Sequence, residues 1–173
     1  MWGNNQFGQL GCGNFTNQSK ATAIQYPMEI ADVKTGNSHT LALTKQNELL
    51  AWGSNEFGQL GVGDEVYRTN IPRKIVALDA VVDFSCGMFH SVALDANRGV
   101  YSWGYSRKYS VCTDNFPNNV YLPQKIDGIS DRVVSVHSSN YMNVFLTENS
   151  SIYVLGTFQL PDFSIFSVET PKQ

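Results

Sequence analysis

The chain is poor in the residues that build catalytic and metal centres, with three histidines and three cysteines among 173 residues. Cys12, Cys86 and Cys112 are odd in number and nowhere form a C-x-x-C pair. That argues against a disulfide framework and against a thiolate zinc site. Cysteines used this way fit a reducing compartment, so the expected location is cytoplasmic or nuclear. Charge is scarce as well, with 16% charged residues and a net charge of −3. The tightest basic pairs are Arg73-Lys74 and Arg107-Lys108. Such a surface has no electrostatic footprint for nucleic acid or an anionic membrane, and neither is expected as a partner. The longest apolar candidate, IVALDAVVDF, is interrupted by Asp79 and Asp83 and falls short of a membrane-spanning helix. The opening MWGNNQFGQLG has neither the basic nor the apolar stretch of a secretion signal. Sustained 3.6-residue periodicity with caps is missing too, which excludes a helical fold.

What the chain does contain is apolar residues at 42% and aromatics at 12%, enough for a folded core, and a repeat. Trp-Gly occurs at 2–3, 52–53 and 103–104, with a worn copy at Leu155-Gly156. The spacings are 50, 51 and 52 residues. A second phrase keeps the register: GNSHTLALT at 36–44, GMFHSVALD at 87–95 and SNYMNVFLT at 139–147. A proline-led segment does the same at 26–30, 71–75 and 122–126. Each repeat then offers four short strands, read in the second copy as IPRKI, VVDFSCG, HSVALD and GVYSWG. Alternation and β-branched or aromatic residues favour strand over helix. Tight hairpin turns are expected at 46–48, 95–99 and 148–150.

One more phrase is written twice, NQFGQLGCG at 5–13 and NEFGQLGVG at 55–63. Nothing in it can act as nucleophile, base or metal set, so it specifies shape. Its glycines allow positive φ after the Trp strand, while Phe57 and Leu60 tuck back as apolar plugs. Four-stranded units of about fifty residues, each with one Trp and several Gly, are propeller blades, which stack because a lone blade cannot bury both faces.

WGSNEFGQLGVGD, then a Pro-led strand, then VVDFSCGMFHSVAL and GVYSWG, resembles the repeat of the regulator of chromosome condensation family. The resemblance implies an all-β chain of propeller blades, each of four antiparallel strands, from a ring that usually has seven. Repeats fall at about 1–47, 48–98 and 99–150, with a partial one at 151–173, so about three blades are expected in an open arc. Such an arc is expected to belong to a longer chain or to self-associate. Its exposed ends would carry Trp2, Phe7 and Leu10 on one side and Val154, Leu155, Phe158, Phe163 and Phe166 on the other.

The repeat frame consists of Trp2, Gly3, Gly8, Gly11, Gly36, His39, Trp52, Gly53, Gly58, Gly61, Gly87, His90, Trp103 and Gly104. His39 and His90 share one repeat position, where the third copy has Met142. They are read as structural, one ring nitrogen satisfying a backbone group inside the blade, and not as metal ligands. GQLGVG has the wrong glycine spacing for a phosphate cradle and is followed by Asp64-Glu65. No Ser/His/Asp set can be assembled, so no catalytic residue and no cofactor are expected. The repeat breaks at 108–112, where KYSVC replaces FGQLG. The break brings in Arg107, Lys108 and Tyr109, candidate partner contacts on a loop, Arg and Tyr being residue types favoured at binding hot spots. The reading is a non-enzymatic protein-interaction scaffold. The resemblance implies an alternative, guanine-nucleotide exchange on a small GTPase, as the founding member performs on Ran. The founder does so with an element protruding from its blades, for which the 50–52-residue spacing leaves no room.

Overall fold

The computed structural model describes residues 1–106, 119–159 and 165–172. These residues form three separate four-stranded antiparallel sheets, the strands of each paired in chain order. The first blade holds β1 (Ile30–Thr35), β2 (His39–Thr44), β3 (Leu49–Ser54) and β4 (Arg68–Lys74). The second holds β5 (Val81–Cys86), β6 (His90–Asp95), β7 (Val100–Gly104) and β8 (Val120–Lys125). In the third are β9 (Val133–Ser139), β10 (Met142–Thr147), β11 (Ile152–Gln159) and β12 (Ile165–Lys172). Register repeats with the sequence: His39 pairs Gly53, His90 pairs Gly104 and Met142 pairs Gly156.

One boundary differs from the sequence reading. Pro72 lies in β4 and Pro123 in β8, each paired to the Trp strand before it. The proline-led segment is therefore the outer, fourth strand of its blade and not the first strand of the next. An edge strand is where a residue without an N–H costs no ladder bond. Pro27, in the first copy, lies outside any strand.

Every residue of β2, β3 and β6 is buried, as expected for strands sandwiched between neighbours. Period-two alternation then sends successive side chains into different cores. Leu41 and Leu43 join Leu49, Leu60, Phe84 and Trp103 between the first and second blades. Ala42, between them in sequence, faces the other way, onto Trp52. In β6, Ala93 joins the first interblade core, while Val92 and Leu94 join Phe145 and Leu155 in the next. The hairpins turn where expected, through Asn47, Arg98 and Ser150 with φ of 62, 69 and 66°.

Polar contacts lock the inner strands together. Lys34 Nζ on β1 reaches Asp83 Oδ1 at 3.1 Å and the Phe84 carbonyl at 2.5 Å. The other oxygen of Asp83 accepts the Val136 N–H of β9 at 2.9 Å, so one carboxylate ties three blades. Two residues along, Ser138 N–H donates to Ser85 Oγ at 2.9 Å.

Candidate interaction surface

The twice-written phrase is the joint between blades, and its polar letters hold it in shape. Asn55, only 1% exposed, donates from Nδ2 to the carbonyls of Gly63 and Val66 at 2.8 and 2.7 Å. Its Oδ1 accepts the Leu60 N–H at 2.9 Å. Asn5 repeats this with Asn14, Thr16 and Leu10. The loop so stapled presents the Gln59 carbonyl to the next blade, where it accepts Trp103 Nε1–H at 3.0 Å and Ser91 Oγ–H at 2.8 Å. The Gln9 carbonyl does the same for Trp52 at 2.9 Å and Thr40 at 2.7 Å. Gly61 has φ of 69°, and a Cβ there would stand 2.7 Å from Trp103 Nε1. Only glycine permits this approach.

His39 and His90 are buried and equivalent, but their partners are not backbone groups of their own blade. His39 Nε2 lies 3.0 Å from Ser91 Oγ, and His90 Nε2 lies 2.8 Å from Asn143 Oδ1, each on the following blade. Ser91 spends its proton on Gln59, and Asn143 Oδ1 is an acceptor, so both rings donate from Nε2–H. Backbone groups near these histidines are already engaged: the carbonyls of His39 and His90 accept the N–H of Gly36 and Gly87. Burial pushes the imidazole pKa down to about 3 for His39 and about 4 for His90. Both rings are therefore neutral pins between blades.

Above this joint, four partly exposed aromatic rings form a continuous ridge over the blades. Phe57 meets Phe89 at 5.0 Å and Tyr105 at 5.2 Å between centroids. Phe89 and Tyr105 each reach Tyr141, at 6.4 and 6.1 Å. Phe57, read as a plug, thus belongs to the surface, whereas Leu60 is fully buried as a plug should be. The ridge was missed in the sequence, although a signal existed. Where the first blade has Ser38 and Ser54, the second has Phe89 and Tyr105, and the third has Tyr141. The architecture does not require rings at these positions, and large aromatics are enriched where proteins meet. Tyr105 is two residues before Arg107. Arg107, Lys108 and Tyr109 themselves lie outside the described residues.

Trp52 and Trp103 are buried under the preceding corner, while Trp2 is 68% exposed. Gly3, Gly53 and Gly104 follow their tryptophans with φ of 111, 106 and 108°. Gly8 and Gly58 lie in the corners, at φ of 82 and 86°, and Gly11 matches Gly61. Gly36 and Gly87 face the imidazole rings of His39 and His90. Two expected end-face residues are buried instead: Leu10, a corner plug, and Leu155, which occupies the Trp position and packs back onto the second blade. Phe7 and Val154 are partly exposed, and Phe158, Phe163 and Phe166 have side chains outside the described residues. Among the described residues, no three His, Cys, Asp or Glu side chains are grouped to hold a metal ion. Cys12 and Cys86 are free thiols, and burial pushes that of Cys86 up to about 12, far from a nucleophile's range.

Residues 1–43 and 46–94 match the model of the regulator of chromosome condensation (RCC1) repeat, more than half of the chain. A second model of that repeat matches 30–59 and 81–109. The human regulator of chromosome condensation is 29% identical over 162 residues, an alignment covering 89% of this chain and 37% of the human one. The guanine nucleotide exchange factor SRM1 of Saccharomyces cerevisiae is 30% identical over 144 residues, covering 72% of this chain and 30% of its own. In fold, human WBSCR16 superposes with a TM-score of 0.83 at 20% identity, over 99% of this chain and 46% of that one. The chain thus spans less than half the length of each of these relatives. With its repeated Trp-Gly strands, stapled corners and interblade histidines, the chain belongs to the RCC1 repeat family and forms part of a β-propeller.

Proposed function

We propose that this chain is a non-enzymatic scaffold that binds a protein partner through the aromatic ridge of Phe57, Phe89, Tyr105 and Tyr141. The observation that carries the reading is that Phe89, Tyr105 and Tyr141 stand where the first blade has serines, join Phe57 of the corner phrase in contacts across blades, and remain partly exposed with it. The Arg107-Lys108-Tyr109 stretch, adjoining Tyr105 in sequence, extends the contact in this reading. The cysteine content supports action in the cytoplasm or nucleus. A second reading, regulation of a small GTPase by nucleotide exchange, is supported by the likeness to the yeast exchange factor.

One experiment separates the two. A panel of nucleotide-free small GTPases is presented to the wild type and to Phe89→Ala/Tyr105→Ala, with fluorescent GDP release followed in parallel. The scaffold reading expects no acceleration of release, and ridge-dependent capture of a protein partner at an unchanged melting temperature. Accelerated release establishes the second reading. Capture that persists in the ridge variant removes the ridge from the site.

A further inference from the structure

Three of the ridge rings stand in a near-equilateral triangle. Between centroids, Phe89 and Tyr105 are 6.3 Å apart, Phe89 and Tyr141 6.4 Å, and Tyr105 and Tyr141 6.1 Å. Their planes are inclined to one another by 72, 47 and 50°, so they do not form a flat stack. Phe57 backs two of them, 5.0 Å from Phe89 and 5.2 Å from Tyr105. A group seated over the middle of the triangle lies about 4–5 Å from all three centroids, inside the ~6 Å reach of a cation–π contact. The backbone beneath is fixed. Tyr105 N–H donates to the Phe89 carbonyl at 2.9 Å, and Met88 N–H donates to the Asn140 carbonyl of the third blade at 2.8 Å. The rings therefore need little ordering when a ligand arrives. Electrostatics at the triangle have one sign. Ring faces are negative, and the segments that carry the rings, 54–60, 87–89, 104–106 and 139–142, hold a single charged residue, Glu56. Glu56 is exposed, and its carboxylate is in no ion pair among the described residues.

We propose that the triangle of Phe89, Tyr105 and Tyr141 recognises a quaternary ammonium, the side chain of a trimethylated lysine on the partner protein, with Glu56, adjoining Phe57, as its counter-charge. This rests on the reading of the ridge as a protein-binding surface and uses nothing of the Arg107-Lys108-Tyr109 stretch. A cation is favoured over an apolar side chain because the ring faces and the carboxylate both attract positive charge. Among cations, an unmodified lysine or an arginine carries N–H donors that ring faces satisfy less well than water does. A trimethylammonium has no N–H to leave unpaired. Its three methyl groups also gain dispersion contacts with rings on several sides.

The test follows the N-methyl proton signal of a short capped peptide, Ala-Gly-trimethyllysine-Gly-Ala, as the protein is added. Methyl groups seated over ring faces are shielded, so the signal is expected to move upfield. The unmethylated lysine peptide should bind about tenfold more weakly, and so should the neutral analogue with carbon in place of the ammonium nitrogen. Glu56→Gln should weaken the trimethyllysine peptide about twofold at low salt, a loss that shrinks as salt is raised. Phe89→Ser/Tyr105→Ser places at both positions the residue that the first blade has there, Ser38 and Ser54. That variant should keep its melting temperature and lose the upfield shift. Equal binding of the trimethyllysine peptide and its neutral analogue overturns the cation site while leaving the ridge as a protein contact, which partner capture by Phe89→Ala/Tyr105→Ala tests separately. Absence of an upfield shift at millimolar peptide overturns the proposal, as does a shift that persists in the serine variant. Phosphocholine binding more tightly than the peptide assigns the triangle to a choline headgroup and overturns the protein source.

Discussion

Replacing Asn55 by Ala removes two amide donors and one acceptor from a side chain 1% exposed, leaving the Gly63 and Val66 carbonyls and the Leu60 N–H without their partners. A typical internal hydrogen bond contributes about 1 kcal/mol net, and a buried group left unpaired costs more. Loss of all three is therefore expected to destabilise by about 3 kcal/mol, which lowers the melting temperature of a chain this size by roughly 6–12 °C. Asn55→Asp is the sharper probe. It keeps the acceptor for Leu60 but sets a carboxylate oxygen where the amide nitrogen stood, 2.8 and 2.7 Å from two carbonyl oxygens. At neutral pH it should be worse than Ala, and acid should narrow the gap as the carboxyl group takes up a proton and regains one donor. Glu56→Ala, at an exposed neighbour, is the control and should change stability by less than about 0.5 kcal/mol. Differential scanning fluorimetry at pH 7.5 and pH 5 reads all three. An Asp variant milder than Ala at neutral pH would show that the two donor bonds do not hold the corner, and the reasoning would fail.

Gly61→Ala should cost clearly more than Gly63→Ala: both have positive φ, 69 and 96°, but only at Gly61 does the new Cβ meet Trp103. About 1 kcal/mol of backbone strain applies to each, so equal melting shifts would discount the clash. Burial lowers the pKa of His39 and His90 from 6.5 to about 3 and about 4, so the unfolded chain takes up their protons first. Their contribution is complete above pH 6.5 and is lost as pH falls through about 4 and then 3; the melting temperature of His39→Gln/His90→Gln should fall less steeply with acid, and parallel slopes would contradict this. Cys86, its pKa raised to about 12, should escape alkylation at pH 8 in the folded protein, as read by mass spectrometry. Rapid labelling would show that the thiol is not held as described.

The fold was legible because its constraints recur. A Trp-Gly pair in the same register announces a positive-φ residue in the third strand of its blade, and Gly53, Gly104 and, after Leu155, Gly156 supply it at 106, 108 and 116°. Partition of strands into blades was less legible. Hydrophobic pattern shows that IPRKI is a strand, but the partner of an edge strand is decided by hydrogen bonding at long range, which no local window contains. The same limit explains the histidines. Burial followed from their repeat position, but their partners, Ser91 and Asn143, lie 52 and 53 residues on, in the next blade.

The surface was harder to read for a different reason. Repeats advertise what the architecture needs, and a binding surface is what remains after that need is subtracted. Subtraction at the corner loop gave Arg107, Lys108 and Tyr109, because a whole phrase is lost there. The ridge left a quieter trace: single aromatic substitutions at positions 89, 105 and 141, scattered over 53 residues of sequence. Pairing of β6 with β7 sets Phe89 beside Tyr105, and the stacking of blades brings Tyr141 within about 6 Å of both. The repeat itself supplies the rule that would have found them. Positions flanking the His and the Trp-Gly lie opposite each other in every blade, since His39 pairs Gly53, His90 pairs Gly104 and Met142 pairs Gly156. Rings placed beside those pairs in adjacent repeats must therefore converge on one edge of the propeller. Convergence of that kind without a stability requirement is the mark of a surface that meets something.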